Sequence, residues 1–246
     1  MNDGGIQSLA TQIGCVFDGS FFISDECSEV LEELISLLNE DDKKTCRIRC
    51  QMHLAHILPH KLVPLLISLD EQEDVEDRDK LYSLTIRLMT NLTQPTECLL
   101  PSYLYSESGY KNVMTEINQF LAVGREAFLD GKAVIVLLKY MERMLTTAQH
   151  KEIPISDCEV LNNCLFLLRN LLFIHDLDYR SDDGPRPYLI LLGMLFQHGL
   201  TDVLMLVLKS AQREYWCIAA AQLVSLLYKD EVSALSSSSR GAKTSQ

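Results

Sequence analysis

Glycine and proline are scarce in this 246-residue chain, with 11 and 7 residues respectively. Sheets joined by tight turns depend on these residue types, so their scarcity argues against a β-sandwich or barrel. Leucine dominates the apolar residues, which favours helices. The hydrophobic fraction of 47% indicates that most of the chain is folded, and its length is sufficient to bury a substantial core.

Positive charge is also in short supply. The chain has 22 lysine and arginine residues against 34 acidic ones, a net charge of −12. Phosphate binding needs a surplus of cations, so we predict weak or no direct binding to DNA. The densest basic group is Lys43, Lys44, Arg47 and Arg49, directly after the acidic run 39–42. We interpret it as a solvated helix start, with a local DNA patch as the alternative.

Long apolar runs are missing. None reaches the roughly 18 residues that span a bilayer, and the N-terminus lacks the basic and apolar regions of a signal peptide. We therefore expect a soluble intracellular protein without a membrane partner. In that compartment the eight cysteines are predicted to be reduced thiols, mostly buried as small hydrophobic residues.

Sequence motifs of catalysis are absent. We find no nucleophile elbow, phosphate loop or paired histidine and carboxylate motif. His150 and His175 lie near acidic residues and are interpreted as solvated histidines. The glycosylation sequon 91–93 falls at the end of a predicted core helix, so we discount it. The chain is thus predicted not to be an enzyme, with no catalytic or cofactor-binding residues and no cofactor.

One group of residues has the composition of a metal site. Cys46, Cys50 and His53 recur at helical spacing, but zinc needs about four ligands, usually from two elements. Ile57 occupies the next position, so a buried stripe of Cys46, Cys50, Leu54 and Ile57 is the preferred interpretation. A small enzyme or zinc-binding helical protein remains the alternative class. Cys158 and Cys164 share a helix face poorly.

Apolar residues recur with helical period in almost every segment. Aspartate, serine and threonine mark predicted helix starts: Asp25 as a cap, 156–159 as a capping box, and Thr201 as a cap. Residues 15–24 and 95–110 are predicted to be irregular. The predicted helices include 41–58 (ended by Pro59), 113–128 (with Gly124 as a potential break), 132–145, 188–198, 202–208 and 212–229.

A helix ending in an asparagine occurs twice. Residues 84–95 contain Asn91, residues 166–173 contain Asn170, and the two asparagines are 79 positions apart. A weak third copy at 223–228 has Ser225 in place of asparagine. Such repeats predict an all-α, right-handed armadillo/HEAT-like helical repeat solenoid. Asn91 and Asn170 are predicted to be buried and to bond neighbouring backbone groups.

The repeat pattern also predicts the domain organisation. Residues 1–235 are expected to form one helical repeat domain, with a possible internal boundary in the acidic, proline- and glycine-containing segment 176–187. Residues 236–246 are serine-rich and predicted to be a disordered tail. Ser236 to Ser239 fit either phosphorylation sites or a plain flexible tail.

Several segments together resemble one family. They are Asn91 to Pro95 with Arg87 to Met89 before it, 162–172, Gly14-Cys15 with Asp18-Gly19, 126–128, and Trp216 with 223–230. This combination resembles the N-terminal domain of the Timeless family, and the matches span nearly the whole chain. Family members are several times longer, and Ile174-His175-Asp176 departs from the expected Ile-Pro.

The resemblance implies a nuclear protein with an armadillo/HEAT-like fold. Replication members of the family pair with Tipin and travel with the replicative helicase. They stabilise stalled forks and support checkpoint signalling and sister-chromatid cohesion. Insect clock members instead pair with Period and act in the circadian loop. We expect the replication role, with a circadian regulator as the alternative, and the resemblance assigns no partner-binding residues to this chain.

Overall fold

A computed structural model describes residues 4–72, 74–99, 108–174 and 186–228. These residues are mainly helical, which confirms the all-α prediction at the level of fold class. The helices are α1 (Gly4–Gln12), α2 (Cys27–Asn39), α3 (Arg47–Leu54), α4 (Val63–Glu71), α5 (Arg78–Leu92), α6 (Thr96–Leu99), α7 (Ser108–Glu126), α8 (Lys132–His150), α9 (Ile155–Phe173), α10 (Pro187–Gln197), α11 (Leu200–Lys209) and α12 (Cys217–Leu227). A π-helical turn (Leu58–Leu62) precedes α4, and a 3-10 turn (Arg213–Tyr215) precedes α12.

The helices stack in rows. One row consists of α2, α5, α9 and α12, each packed against the next. A second row consists of α4, α8 and α11 in the same order, and α3 packs on α7. The described helices therefore form successive triplets: α3 to α5, α7 to α9, and α10 to α12. The longest helices present wide apolar faces between the rows, and one continuous core fills the space between them.

The periodicity correctly predicts the inward faces of the central helices. Val134, Leu137, Leu138, Met141 and Leu145 of α8 are all buried, as predicted. The residues of α9 predicted to face inward are buried as well: Val160, Cys164, Leu167, Leu168 and Leu171. Because α8 and α9 contact neighbours on both sides of their rows, more than one stripe of each helix is covered.

Residues 15–24 form a β-hairpin, so the prediction of an irregular loop is wrong. Strands β1 (Gly14–Phe17) and β2 (Ser20–Ile23) pair antiparallel around the two-residue turn Asp18-Gly19. Both turn residues have positive φ, 50° and 78°, as type I′ hairpin turns require. The Asp-Gly dipeptide was the signal in the sequence for this turn.

The predicted helix 41–58 is wrong at both ends. Asp42 accepts a hydrogen bond from the Lys44 backbone (3.0 Å), and Cys46 is left-handed with φ 46°. These turns delay the helix until Arg47. Pro59 does not end a helix, because it lies in the π-helical turn that leads into α4. The predicted single helix is thus a turn over residues 41–46, the short helix α3, and the first residue of the π-helical turn after it.

The predicted N-terminal caps are also wrong. Helix α2 begins after Glu26, α9 after Pro154, and α11 after Gly199, each without a side-chain cap. Asp25, the 156–159 box and Thr201 therefore do not cap these helices. Pro154 and Gly199 supply the necessary turns through their own backbone preferences.

Gly124 lies inside α7 and does not break it. A Cβ atom at this position would lie 2.9 Å from Cδ2 of Leu58, so glycine permits close packing of α7 on the π-helical turn. Helix α7 therefore continues from Ser108 to Glu126, beginning earlier than the predicted segment 113–128.

Some predicted segments fall outside the described residues: His175, the boundary segment from 176 to 185, and the tail 236–246. Among the described helices, no single one is long and apolar enough to cross a membrane. Two bent pairs pass by length and composition only, namely Arg47–Leu54 with Leu58–Glu71 and Pro187–Gln197 with Leu200–Lys209.

Candidate functional site

The two repeated helices meet at Asn170. This residue is 1% exposed, and its Nδ2 donates hydrogen bonds to the Thr90 carbonyl oxygen (3.0 Å) and to Thr93 Oγ1 (3.3 Å). Thr90 Oγ1 in turn donates to the Asn163 carbonyl (3.0 Å). These bonds join the C-terminal parts of α5 and α9. The prediction that Asn170 is buried and bonds neighbouring backbone is confirmed.

Asn91 and Ser225 do not repeat this arrangement. Asn91 is only half-buried, and its backbone oxygen, not its side chain, takes part in a contact between helices. Ser225 is exposed and donates to the Gln222 carbonyl within its own helix (2.7 Å). The two similar sequences thus form helices, α5 and α9, that occupy successive places in the same row. Among the described residues, only Asn170 provides a buried side-chain amide.

Arg49 connects α3 to the end of α5. It is 5% exposed, and its Nη1 donates to the Asn91 carbonyl oxygen. The carboxylate of Asp41 accepts hydrogen bonds from the backbone amides of Ile48 (2.9 Å) and Arg49 (3.0 Å), which caps α3. The interpretation of Arg49 as part of a solvated basic group is therefore wrong, because its guanidinium satisfies a helix C-terminus inside the protein.

Cys46, Cys50 and His53 lie within the packed core. The ring of His53 stacks on Phe120 with centroids 5.3 Å apart, and burial, aided by the nearby Arg49 charge, lowers the pKa of His53 to about 3. Burial raises the pKa of the Cys50 thiol to about 12. These pKa shifts leave the imidazole neutral and the thiol protonated.

The stripe predicted around these cysteines is wrong at one position, since Leu54 is 61% exposed. The turn after α3, with His56 at φ 50°, redirects the chain before Ile57 enters the core. In the ranges that the structure describes, no group of three or more histidine, cysteine, aspartate or glutamate side chains could hold a metal ion.

The most chemically distinctive surface is a groove between α5, α8 and α9, which we call the α5–α8 groove. It has a volume of about 600 Å³. Its lining combines cations, aromatic surface and carboxylates: Arg78, Asp79, Lys80, Ser83, Leu84, Tyr140, Arg143, Met144, Thr147, Ser156, Asp157 and Val160. Sequence analysis did not predict this surface, because the three helices that line it lie far apart along the chain.

Arg78, Tyr140 and Arg143 line the α5–α8 groove, and the buried ring of Tyr82 lies next to them. Tyr82 and Tyr140 stack with centroids 4.7 Å apart. The guanidinium of Arg78 lies 5.6 Å from the Tyr82 centroid, and that of Arg143 lies 5.3 Å from the Tyr140 centroid. Burial raises the pKa of Tyr82 to about 12 and also raises the pKa of Tyr140, so both rings remain neutral.

The two arginines of the groove differ in whether their guanidinium groups are already bound within the protein. Nε of Arg78 donates to the Leu69 carbonyl (2.6 Å), which fixes that side chain. Arg143 is exposed, and its guanidinium lies over the Tyr140 ring. A guanidinium held on an aromatic ring is suited to bind carboxylates of a partner protein. The lining of the groove thus combines three cations, Arg78, Lys80 and Arg143, with the carboxylates of Asp79 and Asp157.

Comparison with known proteins identifies the family. The sequence profile of the Timeless protein family matches residues 20–246. "Protein timeless" of Drosophila melanogaster is 26% identical over 239 residues, covering 92% of this chain and 16% of the relative. "Protein timeless homolog" of Homo sapiens is 28% identical over 228 residues, covering 91% of this chain and 18% of the relative.

A nematode relative extends the comparison. "Protein timeless homolog" of Caenorhabditis elegans is 20% identical over 234 residues, covering 92% of this chain and 16% of the relative. The chain thus spans less than a fifth of the length of these relatives. The profile match covers most of the chain, including both asparagine helices and the α5–α8 groove, and the chain belongs to the Timeless protein family.

Proposed function

We propose that this chain acts as a nuclear, non-enzymatic scaffold of a replication fork protection complex. In that role it supports fork stability, replication checkpoint signalling and sister-chromatid cohesion through contacts with other proteins. Membership of the Timeless family carries the proposal. The expected partners are a Tipin-like protein and components of the replicative helicase.

The arrangement of the helices supports a scaffold. We infer that the successive triplets form an armadillo-like, right-handed solenoid. In such stacks each repeat contacts its neighbours and the assembly exposes extended binding surfaces. The α5–α8 groove crosses two triplets, so a partner bound there contacts α5, α8 and α9 simultaneously.

The experiment is an affinity purification of the chain from nuclei of dividing cells, read by mass spectrometry. Recovery of Tipin-like and helicase subunits is the expected result. Arg143→Glu should reduce their recovery if the α5–α8 groove is a contact surface. Arg213→Glu is the matched control, since Arg213 is an exposed arginine outside the groove and its substitution causes the same change in charge.

A circadian regulator that binds a Period-like partner is the second candidate. Its support is the similarity to an insect relative, because the clock members of the family are insect proteins. Recovery of Period-like proteins in the same purification, with daily cycling of the chain's abundance, would replace the replication proposal. Recovery of neither set would contradict both proposals for this part of the protein.

A further inference from the structure

The β-hairpin buries one of its two faces and exposes the other. Strand β2 packs on α4, and Phe21 is buried there. The Phe21 carbonyl accepts hydrogen bonds from Ser68 Oγ (3.1 Å) and Gln72 Nε2 (3.3 Å). Because side chains alternate between the faces of a strand, the pairing of the two strands places Phe17 and Phe22 together on the opposite face. The anchored hairpin therefore presents two phenylalanines on a fixed outer face.

These two phenylalanines are unusually exposed for aromatic residues. Phe17 is 70% exposed, more than any other large hydrophobic residue in the described ranges, and Phe22 is 54% exposed. Their rings meet edge to face, with centroids 6.2 Å apart. A cross-strand aromatic pair stabilises a hairpin, but this contact leaves more than half of each residue in water. Adjacent exposed aromatic residues are typical of surfaces that contact other proteins.

The outer face continues into a groove, which we call the hairpin groove. It has a volume of about 780 Å³ and lies between the hairpin, the start of α2 and the residues that lead into α5. Phe22, Ile23 and Val75 give its lining apolar surface. Lys80 is the one cation among the described residues that line it, and Lys80 is paired with Glu32 (2.9 Å). The carboxylates of the lining are Asp25, Glu29, Asp74, Glu76 and Asp77.

Charge indicates which occupant fits the hairpin groove. Residues 18–42 contain nine acidic residues and no lysine or arginine, and residues 70–77 contain six and none. Because these two segments border the groove, a segment rich in lysine and arginine is attracted to it. Phosphate backbones and anionic lipid surfaces are repelled, and so is a second copy of this chain, which brings the same carboxylates. The exposed phenylalanines add a requirement for an apolar side chain in the occupant.

We propose that the outer face of the hairpin and the hairpin groove bind a lysine- and arginine-rich segment of a partner protein that also carries a large apolar side chain. The cations of the segment pair with exposed carboxylates such as Asp74 and Glu76, and its apolar side chain packs on Phe22. Charge speeds the encounter, whereas exposed ion pairs contribute little to affinity one by one. The apolar contact therefore distinguishes one basic segment from another.

The test of the apolar contact is fluorescence anisotropy of the 246-residue chain with two labelled, lysine-rich synthetic peptides of equal charge. One peptide has a single central leucine, and the other has serine in its place. The leucine peptide should bind roughly tenfold more tightly, and Phe22→Ser should remove this difference. Phe196→Ser is the matched control, because Phe196 has a similar exposure, 49%, and lies on α10. An unchanged thermal melt is expected to show that both variants fold.

The same assay tests the charges of the hairpin groove. Asp74→Lys with Glu76→Lys should weaken the binding of both peptides by roughly tenfold. Glu142→Lys with Glu214→Lys is the matched control, since both are exposed acids outside the groove and the change in charge is the same. Equal losses in the two double variants would overturn the proposal, because the peptides would then respond only to total charge. So would no binding of either peptide, a leucine preference that survives Phe22→Ser, or a dimer of the parent chain that Phe22→Ser abolishes, which would place a second copy on this face.

Discussion

Asn170 links two helices that are remote in sequence. Its amide nitrogen has two acceptors on α5 and its following turn, while its Oδ1 atom is buried without a hydrogen-bond partner. The net contribution of Asn170 to stability is therefore the gain from its two hydrogen bonds minus the cost of burying its unpaired Oδ1 atom. This balance gives the amide a specific role in fixing the register of α9 on α5.

We expect Asn170→Leu to lower the free energy of unfolding by more than about 1 kcal/mol, since it leaves buried acceptors at Thr90 and Thr93 without their donor. Chemical denaturation measures the change. Asn91→Leu is the control, because the Asn91 side chain makes no hydrogen bond to described residues and the substitution should cost less. Equal losses in both variants would show that the Asn170 amide contributes nothing specific.

His53 makes stability depend on pH. Its folded-state pKa of about 3 lies below the ordinary 6.5, so the unfolded chain binds a proton that the folded chain does not. Stability is present above pH 6.5 and is lost as pH falls below it, by about 1.5 kcal/mol between pH 6.5 and pH 5. His53→Phe keeps an aromatic ring against Phe120 and removes the titration.

The measurement for His53 is the free energy of unfolding of both proteins across this pH range. The parent chain should lose stability more steeply than His53→Phe on acidification. The exposed histidines His56, His60, His150 and His198 are present in both proteins, so they do not distinguish the two curves. Parallel curves would mean that folding does not lower the pKa of His53.

At the scale of an element, α5 ends where Arg49 reaches its last turn. The carbonyl groups at a helix C-terminus lack partners within the helix, and the Arg49 guanidinium supplies one for Asn91. Asp41 holds the first turn of α3 and so positions Arg49. One aspartate and one arginine therefore connect the start of α3 to the end of α5.

We predict that Arg49→Met destabilises the protein by about 1–3 kcal/mol, since the Asn91 carbonyl loses a charged donor while the aliphatic packing is retained. Arg87→Met is the matched control, because Arg87 is an exposed arginine on α5 itself. Thermal or chemical unfolding measures both variants. A loss for Arg87→Met as large as that for Arg49→Met would contradict the capping role.

The elements also show what the sequence could predict. Periodicity correctly predicts the buried faces of α8 and α9, because their apolar residues repeat over several turns. It fails around residues 41–62, where Asp41, Cys46 and His56 make turns through side-chain bonds and left-handed backbone. The hydrogen bonds of Asp41 are local, to Ile48 and Arg49, and helical periodicity does not register such turns. The α5–α8 groove arises only when three remote helices come together.

At the scale of the whole molecule, the distribution of charge limits what the chain can bind. In the densest basic group, Arg49 is buried in the protein interior. Lys43 and Lys44 are exposed, but they directly follow Asp41 and Asp42. The cations of the α5–α8 groove have carboxylates beside them. These clusters thus lack the uninterrupted positive surface that phosphate backbones require.

Residues 1–246 alone are therefore expected to bind duplex DNA weakly. Because few phosphates are neutralised, the logarithm of the binding constant should fall only shallowly with the logarithm of salt concentration. Fluorescence anisotropy with a labelled duplex across a salt series measures this slope. Lys43→Glu with Lys44→Glu should change the slope little if those lysines make no phosphate contacts. Tight binding with a steep slope that this double variant abolishes would contradict the prediction, because it would reveal a DNA-binding patch just before α3.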